Sequence, residues 1–236
     1  MSKEKIIKEM KQRVFEANLT LPELGLVKLT WGNVSEVNRE LGIIVIKPSG
    51  VSYQIMSADQ MVVTDLAGNL LEENSLKPSS DLPTHVVLYR DFPEISSVVH
   101  THSTNAVMWA QANKDLEAYG TTHADSFYGP VPCTRQLTKD EVEESYEEHT
   151  GDVIVEEFRT RNINPLEVPG VLVSGHGPFT WGTTPMKAVE NSLILDEICL
   201  MAKESEVINK QLTKLPPYLL DKHYLRKHGS EAYYGQ

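Results

Sequence analysis

Short apolar runs bounded by turn-forming residues most constrain how this chain can fold. Residues 43–46 (IIVI) and 61–64 (MVVT) are apolar and partly β-branched, which is typical of buried strands. Residues 67–69 (AGN) follow the second run and predict a hairpin into Leu70 and Leu71. Such hairpins favour an antiparallel or mixed sheet. Two further runs of this kind are residues 95–100 and 171–173.

Segments with helical periodicity alternate with these runs. Apolar residues recur at helical spacing over residues 3–18, and Pro83 suits the first turn of a second helix. Residues 103–112 and a long segment from Pro185 to about residue 210 predict two more helices. The segment after Pro216-Pro217 is expected to be irregular. The sequence therefore predicts one α/β domain.

Composition excludes several classes of function. The 236 residues contain 22 Lys and Arg against 33 Asp and Glu, a formal charge of −11, which disfavours nucleic-acid and anionic-membrane partners. No run approaches the roughly 18 apolar residues of a membrane span, and the charged N-terminus lacks a signal-peptide core. Cys133 and Cys199 lack CxxC spacing and are expected to be reduced thiols. These features predict a cytoplasmic globular protein.

Three histidines form a candidate metal site. His100 and His102 flank Thr101 at the end of a predicted strand, so both imidazoles lie on the same side of it. His176 lies between two glycines in a loop after another apolar run, where backbone and ligand can approach closely. Three histidines with an open fourth position are a zinc arrangement that leaves room for substrate. The alternative interpretation is that this His-x-His pair has a purely structural role in the strand.

Two aspartates have both a structural and a chemical interpretation. Asp81 precedes a predicted helix, where an N-terminal cap is the simplest role. Asp125 precedes Tyr128-Gly129-Pro130 and is equally suited to a turn.

The tripeptide Lys-Pro-Ser occurs twice, at residues 47–49 and 77–79. Each copy offers a cation, hydroxyls and backbone N–H groups of the kind that bind phosphate. A phosphate pocket and a pair of unrelated turns are both consistent with this repeat. The basic residues near the C-terminus would by default belong to a frayed end.

Several motifs resemble one known family. They are KLTWGNVS (28–35), IKPSGV (46–51), KPSSDLPTH (77–85), VVHTHS (98–103), GTTHAD (120–125), GVLVSGHGPF (170–179) and the ending LLDKHYLRKHG with AYYGQ. In this order, over nearly the whole chain, they resemble the L-ribulose-5-phosphate 4-epimerase branch of the class II aldolase and adducin family. The C-terminal signature is specific to that branch.

The resemblance implies roles for individual residues. The implied metal ligands are His100, His102 and His176, with Asp81 at the remaining metal-site position. Zinc is the implied ion, although manganese also occupies histidine sites. The implied phosphate pocket consists of Ser49, Gly50, Ser79 and Ser80, with Asn33 and Lys47 nearby. The implied acid-base pair is Asp125 and Tyr234. Positions that an adjacent subunit contributes in the family correspond to Thr121, Glu147, His223 and Arg226.

The resemblance also implies an architecture and a reaction. The fold would be a single three-layer α/β/α domain with a central, largely antiparallel sheet, and residues 216–236 would complete a site between the subunits of a homotetramer. The reaction would interconvert L-ribulose 5-phosphate and D-xylulose 5-phosphate by cleavage and re-formation of a carbon–carbon bond. One alternative is an aldolase that releases both fragments, although related aldolases carry glutamate where this chain has Asp81. Another is a non-catalytic module like the adducin head, which has no reason to retain three metal ligands.

Overall fold

A six-stranded antiparallel sheet forms the centre of the computed structural model, which describes residues 2–233. The strands are β1 (Asn33–Asn38), β2 (Ile43–Ile46), β3 (Val62–Asp65), β4 (Ser97–His100), β5 (Gly170–Val173) and β6 (Gly177–Gly182). Their order across the sheet is β3-β2-β1-β4-β6-β5, and every neighbouring pair is antiparallel. The predicted antiparallel sheet is confirmed.

The short apolar runs become strands with small shifts in their ends. Strand β2 has the predicted bounds, whereas β3 begins and ends one residue later than residues 61–64. The predicted hairpin after β3 is reduced to a turn and one isolated bridge between Thr64 and Leu70. The turn forms because the Asp65 carboxylate accepts hydrogen bonds from the backbone N–H groups of Ala67 and Asn69.

Seven α-helices and one short 3-10 helix (Ala58–Gln60) accompany the sheet in the described part of the chain. The α-helices are α1 (Lys3–Glu23), α2 (Leu82–Asp91), α3 (Thr104–Gln111), α4 (Thr121–Ala124), α5 (Lys139–Thr160), α6 (Pro185–Ile208) and α7 (Pro217–His228). Helix α1 extends five residues beyond its predicted end at residue 18. The extension buries Leu21 in the same hydrophobic cluster as Met10, Val14 and Ala17.

The prediction of an irregular segment after Pro216-Pro217 is wrong, because this segment forms helix α7. Pro217 occupies the first turn, where its missing N–H costs no helical hydrogen bond. Tyr224 is buried and stacks on Tyr128, with 4.5 Å between ring centroids. Tertiary contact therefore stabilises a helix whose sequence periodicity alone is weak. None of the helices in residues 2–233 combines the length and apolar character that crossing a membrane requires.

Hydrophobic side chains cover both faces of the sheet and define its layers. In β2, Ile43 and Val45 pack in one cluster with α1, whereas Ile44 and Ile46 pack in another with α2 and α5. This separation follows from the alternation of side chains along a strand. The domain is thus a single α/β unit with helices on both faces of its antiparallel sheet, as predicted.

Candidate functional site

Three strand ends meet at one edge of the sheet and bring together residues far apart in sequence. His100 ends β4 and pairs with Asn33, the first residue of β1, and with Phe179 near the start of β6. His176 directly precedes β6. The antiparallel arrangement is the reason, because the end of β4 lies beside the starts of both neighbouring strands.

The three candidate histidines converge at this edge. Each offers a ring nitrogen, and these nitrogens lie within 4.8 Å of one another. The Nε2 atoms of His100 and His102 are 3.1 Å apart. Two nitrogens at about 2.0–2.1 Å from one tetrahedral zinc ion would be separated by roughly 3.3 Å, so this pair fits a shared ion. The donor set can hold a divalent metal ion.

The environment of His102 and His176 lowers the pKa of both, which favours the neutral imidazole that binds metal. Burial lowers the pKa of His176 to about 3, with further lowering from His100 and His102. Burial, followed by His100, also lowers the pKa of His102. The Nδ1 atom of His100 lies 3.0 Å from the carbonyl oxygen of Pro178, to which it can donate. That hydrogen bond leaves the Nε2 lone pair of His100 free for a metal.

Asp81 lies immediately before α2 but does not cap it, since its side chain accepts no capping hydrogen bond from the helix. Its Oδ2 atom instead accepts a 2.6 Å hydrogen bond from the Asn33 amide, and the Ser79 hydroxyl lies 3.4 Å away. Burial acts to raise the pKa of Asp81, but the nearby imidazoles and Asn33 outweigh it and hold that pKa below its usual value. A partly buried carboxylate therefore lines the same cleft as the histidine cluster.

The two Lys-Pro-Ser tripeptides pair with each other. The backbone N–H of Ser49 donates to the carbonyl of Lys77, and that of Ser79 donates to the carbonyl of Lys47, both at 2.9 Å. Pro48 and Pro78 form an antiparallel bridge between these hydrogen bonds. The repeat is therefore one paired structure rather than two unrelated turns.

Lys47 is buried beside these loops. Its ammonium group lies 5.0 Å from the centroid of the Tyr53 ring and donates to the carbonyl of Pro48. Burial lowers its pKa. A buried ammonium group without a carboxylate among these contacts is suited to an anionic ligand.

These groups line one cleft of about 430 Å³. Its walls comprise Thr30, Trp31, Gly32, Asn33, Lys47, Pro48, Ser49, Gly50, Ser79, Ser80, Asp81, His100, His102, Tyr146, Glu147 and His176. All of the candidate metal and phosphate residues are among them. Glu147, which the resemblance attributes to an adjacent subunit, lines the cleft of its own chain.

A second cluster of candidate residues surrounds Asp125 and does not line this cleft. The Asp125 carboxylate lies 3.0 Å from both His223 and Arg226, which belong to α7. Burial acts to raise the pKa of Asp125, but hydrogen bonds from His223 and Arg226 and the charge of Lys227 lower it overall. Thr121 begins α4, which ends beside Asp125. Tyr234 lies outside the described residues.

Two aromatic residues of the cleft were missed by reasoning from sequence. The Trp31 side chain is 48% exposed, and its ring centroid lies 6.1 Å from that of His102. The Tyr146 hydroxyl lies 3.2 Å from Nδ1 of His176. Tyr146 belongs to an acidic run that is typical of a solvated helix face, so only the tertiary structure reveals its position.

Comparisons with known proteins agree with this fold. Residues 12–202 match the family model described as the class II aldolase and adducin N-terminal domain. An L-fuculose 1-phosphate aldolase structure aligns with a TM-score of 0.75 at 22% identity, covering 91% of this chain and 94% of the other. YgbL of Klebsiella pneumoniae aligns with a TM-score of 0.72 at 18% identity, covering 92% and 98%. The L-fuculose-1-phosphate aldolase of Thermus thermophilus aligns with a TM-score of 0.66 at 19% identity, covering 87% and 98%.

Proposed function

This chain belongs to the class II aldolase and adducin family, and we propose that it is a metal-dependent epimerase that interconverts L-ribulose 5-phosphate and D-xylulose 5-phosphate. One observation carries the proposal: a cleft combines three histidines whose ring nitrogens could hold a metal ion with paired loops suited to phosphate. The motifs specific to the epimerase branch supply the choice of substrate.

The chemistry of this epimerisation requires carbon–carbon cleavage. The inverted carbon is not adjacent to the ketone, so its hydrogen is not acidic and simple deprotonation cannot invert it. The bond between the third and fourth carbons breaks instead, and its electron pair moves into the ketone-bearing fragment. The other fragment is glycolaldehyde phosphate. Its aldehyde rotates, and attack on the opposite face forms the epimer.

Zinc is the proposed metal, held by His100, His102 and His176 with Asp81 at the remaining position. When bound there, the ion supplies Lewis acidity toward the ketone and the neighbouring hydroxyl oxygen of the substrate. The Asp81 carboxylate is oriented by Asn33 and Ser79, so it has a fixed direction before any ligand arrives. The lowered pKa values of His102 and His176 likewise favour the neutral imidazole that binds metal.

The paired loops are the proposed phosphate site. Backbone N–H groups and hydroxyls of Ser49, Gly50, Ser79 and Ser80 would hold the phosphate, with Lys47 and Asn33 beside them. Binding through the phosphate retains the glycolaldehyde phosphate fragment while its aldehyde rotates. Retention of this fragment is what distinguishes an epimerase from an aldolase.

Asp125 and Tyr234 are the proposed proton-transfer groups, one for each face of the aldehyde. One takes the proton of the hydroxyl on the fourth carbon, and the other returns a proton to the new alkoxide. Asp125 does not line the histidine cleft of its own chain. We therefore propose that Asp125, Thr121, His223 and Arg226 serve the cleft of a neighbouring subunit in a homotetramer.

A class II aldolase that releases both fragments is the second candidate, since two of the similar structures are fuculose-phosphate aldolases. Position 81 favours the epimerase, because related aldolases use a glutamate there as acid-base catalyst. Asp81 is one methylene shorter, and Asn33 already binds its Oδ2 atom. The non-catalytic module is disfavoured by the complete histidine triad.

An NMR time course of L-ribulose 5-phosphate with the purified protein tests the proposal. Appearance of D-xylulose 5-phosphate that stops on chelation and resumes with added zinc would support the epimerase. Accumulation of dihydroxyacetone and glycolaldehyde phosphate would identify an aldolase. An unchanged spectrum with metal-loaded protein would contradict both activities toward this substrate.

A further inference from the structure

Tyr146 contacts the histidine triad through His176. Its hydroxyl lies 3.2 Å from Nδ1 of His176, and the two ring centroids are 6.0 Å apart. The side chain lines the cleft and is about one-third exposed. The proposed reaction does not use this contact.

A histidine that binds metal through one ring nitrogen carries its proton on the other, and that N–H needs an acceptor. For His100 the acceptor is the carbonyl oxygen of Pro178, 3.0 Å from Nδ1. For His176 the group at the corresponding atom is the Tyr146 hydroxyl. We propose that Tyr146 is a positioning residue whose hydroxyl oxygen accepts the Nδ1–H of His176, thereby fixing the tautomer and ring orientation that present Nε2 to the metal.

The backbone around Tyr146 holds the hydroxyl in place. Helix α5 is kinked at Ser145, where the backbone leaves helical geometry (φ −158°, ψ 71°). The carbonyl oxygens that follow the kink are bound, since Tyr146 accepts from the Thr150 hydroxyl at 2.8 Å and Glu147 accepts from the Thr84 hydroxyl of α2. The first bond lies within α5 and the second ties it to α2. The phenol is therefore attached to packed helices rather than to a free loop.

A tyrosine hydroxyl, whose reference pKa is about 10, is protonated near neutral pH. A neutral hydroxyl oxygen can accept through its lone pairs while its own hydrogen points elsewhere. The protonated phenol is thus compatible with a His176 ring that donates from Nδ1.

This inference rests on the proposed function only in requiring a metal ion at the triad, and zinc affinity tests it without any substrate. Tyr146→Phe removes one oxygen atom and keeps the ring. We expect its zinc dissociation constant, measured by competition with a chromogenic chelator, to rise about 10–100-fold. Tyr119→Phe is the matched control, because it removes a tyrosine hydroxyl that donates to Glu206 at 2.8 Å outside the cleft. Its zinc affinity should equal that of the wild type.

A spectroscopic measurement on the wild-type protein provides a second test that does not depend on the folding of a variant. In the ¹H–¹⁵N spectrum of zinc-loaded wild-type protein, His176 should show a protected Nδ1–H signal. A His176 ring protonated at Nε2, or unchanged zinc affinity in folded Tyr146→Phe, would overturn the positioning role and leave the proposed function intact. A wild-type protein that binds no zinc would overturn both.

Discussion

At the scale of single residues, hydrogen bonds from neighbouring side chains orient the polar groups in and next to the cleft. His85, one helical turn after Asp81, is completely buried, and its Nδ1 lies 2.7 Å from the Ser35 hydroxyl. Burial lowers the pKa of His85 to about 3, so it remains neutral. Asn33 and Ser35 alternate along β1 with one residue between them, and their side chains contact Asp81 and His85 respectively. Strand β1 and helix α2 therefore align two polar pairs beside the histidine triad.

The pH dependence of the unfolding free energy tests whether the charge of Asp125 stabilises the second cluster. Because His223 and Arg226 lower its pKa below the usual 3.8, the ionised carboxylate stabilises the folded state at neutral pH. This stabilisation is lost as pH falls through the lowered pKa. Asp125→Asn should reduce the free energy of unfolding by about 1–3 kcal/mol at pH 7, and the difference from the wild type should shrink in acid. Urea unfolding at both pH values measures it.

The control for this experiment is Glu190→Gln, which removes an exposed ion pair with Lys187 on the surface of α6. Exposed pairs contribute little, so its unfolding free energy should change by less than about 1 kcal/mol at either pH. A constant difference between Asp125→Asn and the wild type down to strongly acidic pH would contradict the role assigned to the carboxylate charge.

At the scale of elements, the close contact between α2 and α5 determines where the kinked start of α5 lies. Gly151 in α5 allows this contact, because a Cβ atom there would lie 2.6 Å from Cβ of Val87 in α2. The Cβ atom of Val87 is fixed to its backbone and cannot rotate away. The same pair of helices positions Asp81, at the start of α2, and Tyr146, just after the kink in α5.

Gly151→Ala tests the packing between α2 and α5. Two effects on the unfolding free energy oppose each other in this variant. Alanine in a helix interior favours stability over glycine by about 1 kcal/mol. Overpacking against Val87 costs typically about 1–3 kcal/mol and should exceed that gain. We expect a lower unfolding free energy and weaker zinc binding, measured by urea titration and chelator competition. Gly120→Ala is the control, since its added Cβ meets no atom within 4 Å, and stabilisation by Gly151→Ala would contradict the tight contact.

At the scale of the whole molecule, one chain carries the candidate residues in two clusters. The histidines, Asp81 and the paired loops line one cleft, whereas Asp125 is bound to residues of α7 outside it. We propose that a single reaction uses both clusters, with the second cluster contributed by another subunit. The proposed homotetramer supplies this arrangement through a head-to-tail contact between subunits, which closes into a ring.

Mixed oligomers test the sharing of sites between subunits. His102→Ala should abolish metal binding, and Asp125→Asn should abolish proton transfer, so each homogeneous variant should lose activity. In oligomers assembled from equal amounts of both, about a quarter of the sites would combine two intact halves by chance. Epimerase activity should recover to about that fraction. Mixing His102→Ala with His176→Ala is the control that should recover nothing, and absence of recovery in verified mixed oligomers of the first pair would contradict shared sites.

The sequence by itself determined four of the six strands, the single α/β domain and the three candidate histidines, because these depend on local patterns, whereas strands β1 and β6 were not predicted. Apolar runs at residues 43–46 and 171–173 directly predict buried strands. The His-x-His motif at a strand end predicts that both imidazoles lie on the same side of the strand. The metal, phosphate and proton-transfer roles of individual residues remain predictions carried by the family resemblance.

Only the tertiary structure decided which distant segments meet. Helix α7 forms because Tyr224 packs on Tyr128 and basic residues bind Asp125. The periodicity of apolar residues along the chain does not predict these contacts. Asp81, predicted as a helix cap, instead accepts a hydrogen bond from Asn33 because β1 and α2 are adjacent in space. Tyr146 reaches His176 because α5 is kinked and packed against α2. Each of these outcomes depends on contacts between residues far apart in sequence, and the energy of such contacts overrides local propensity.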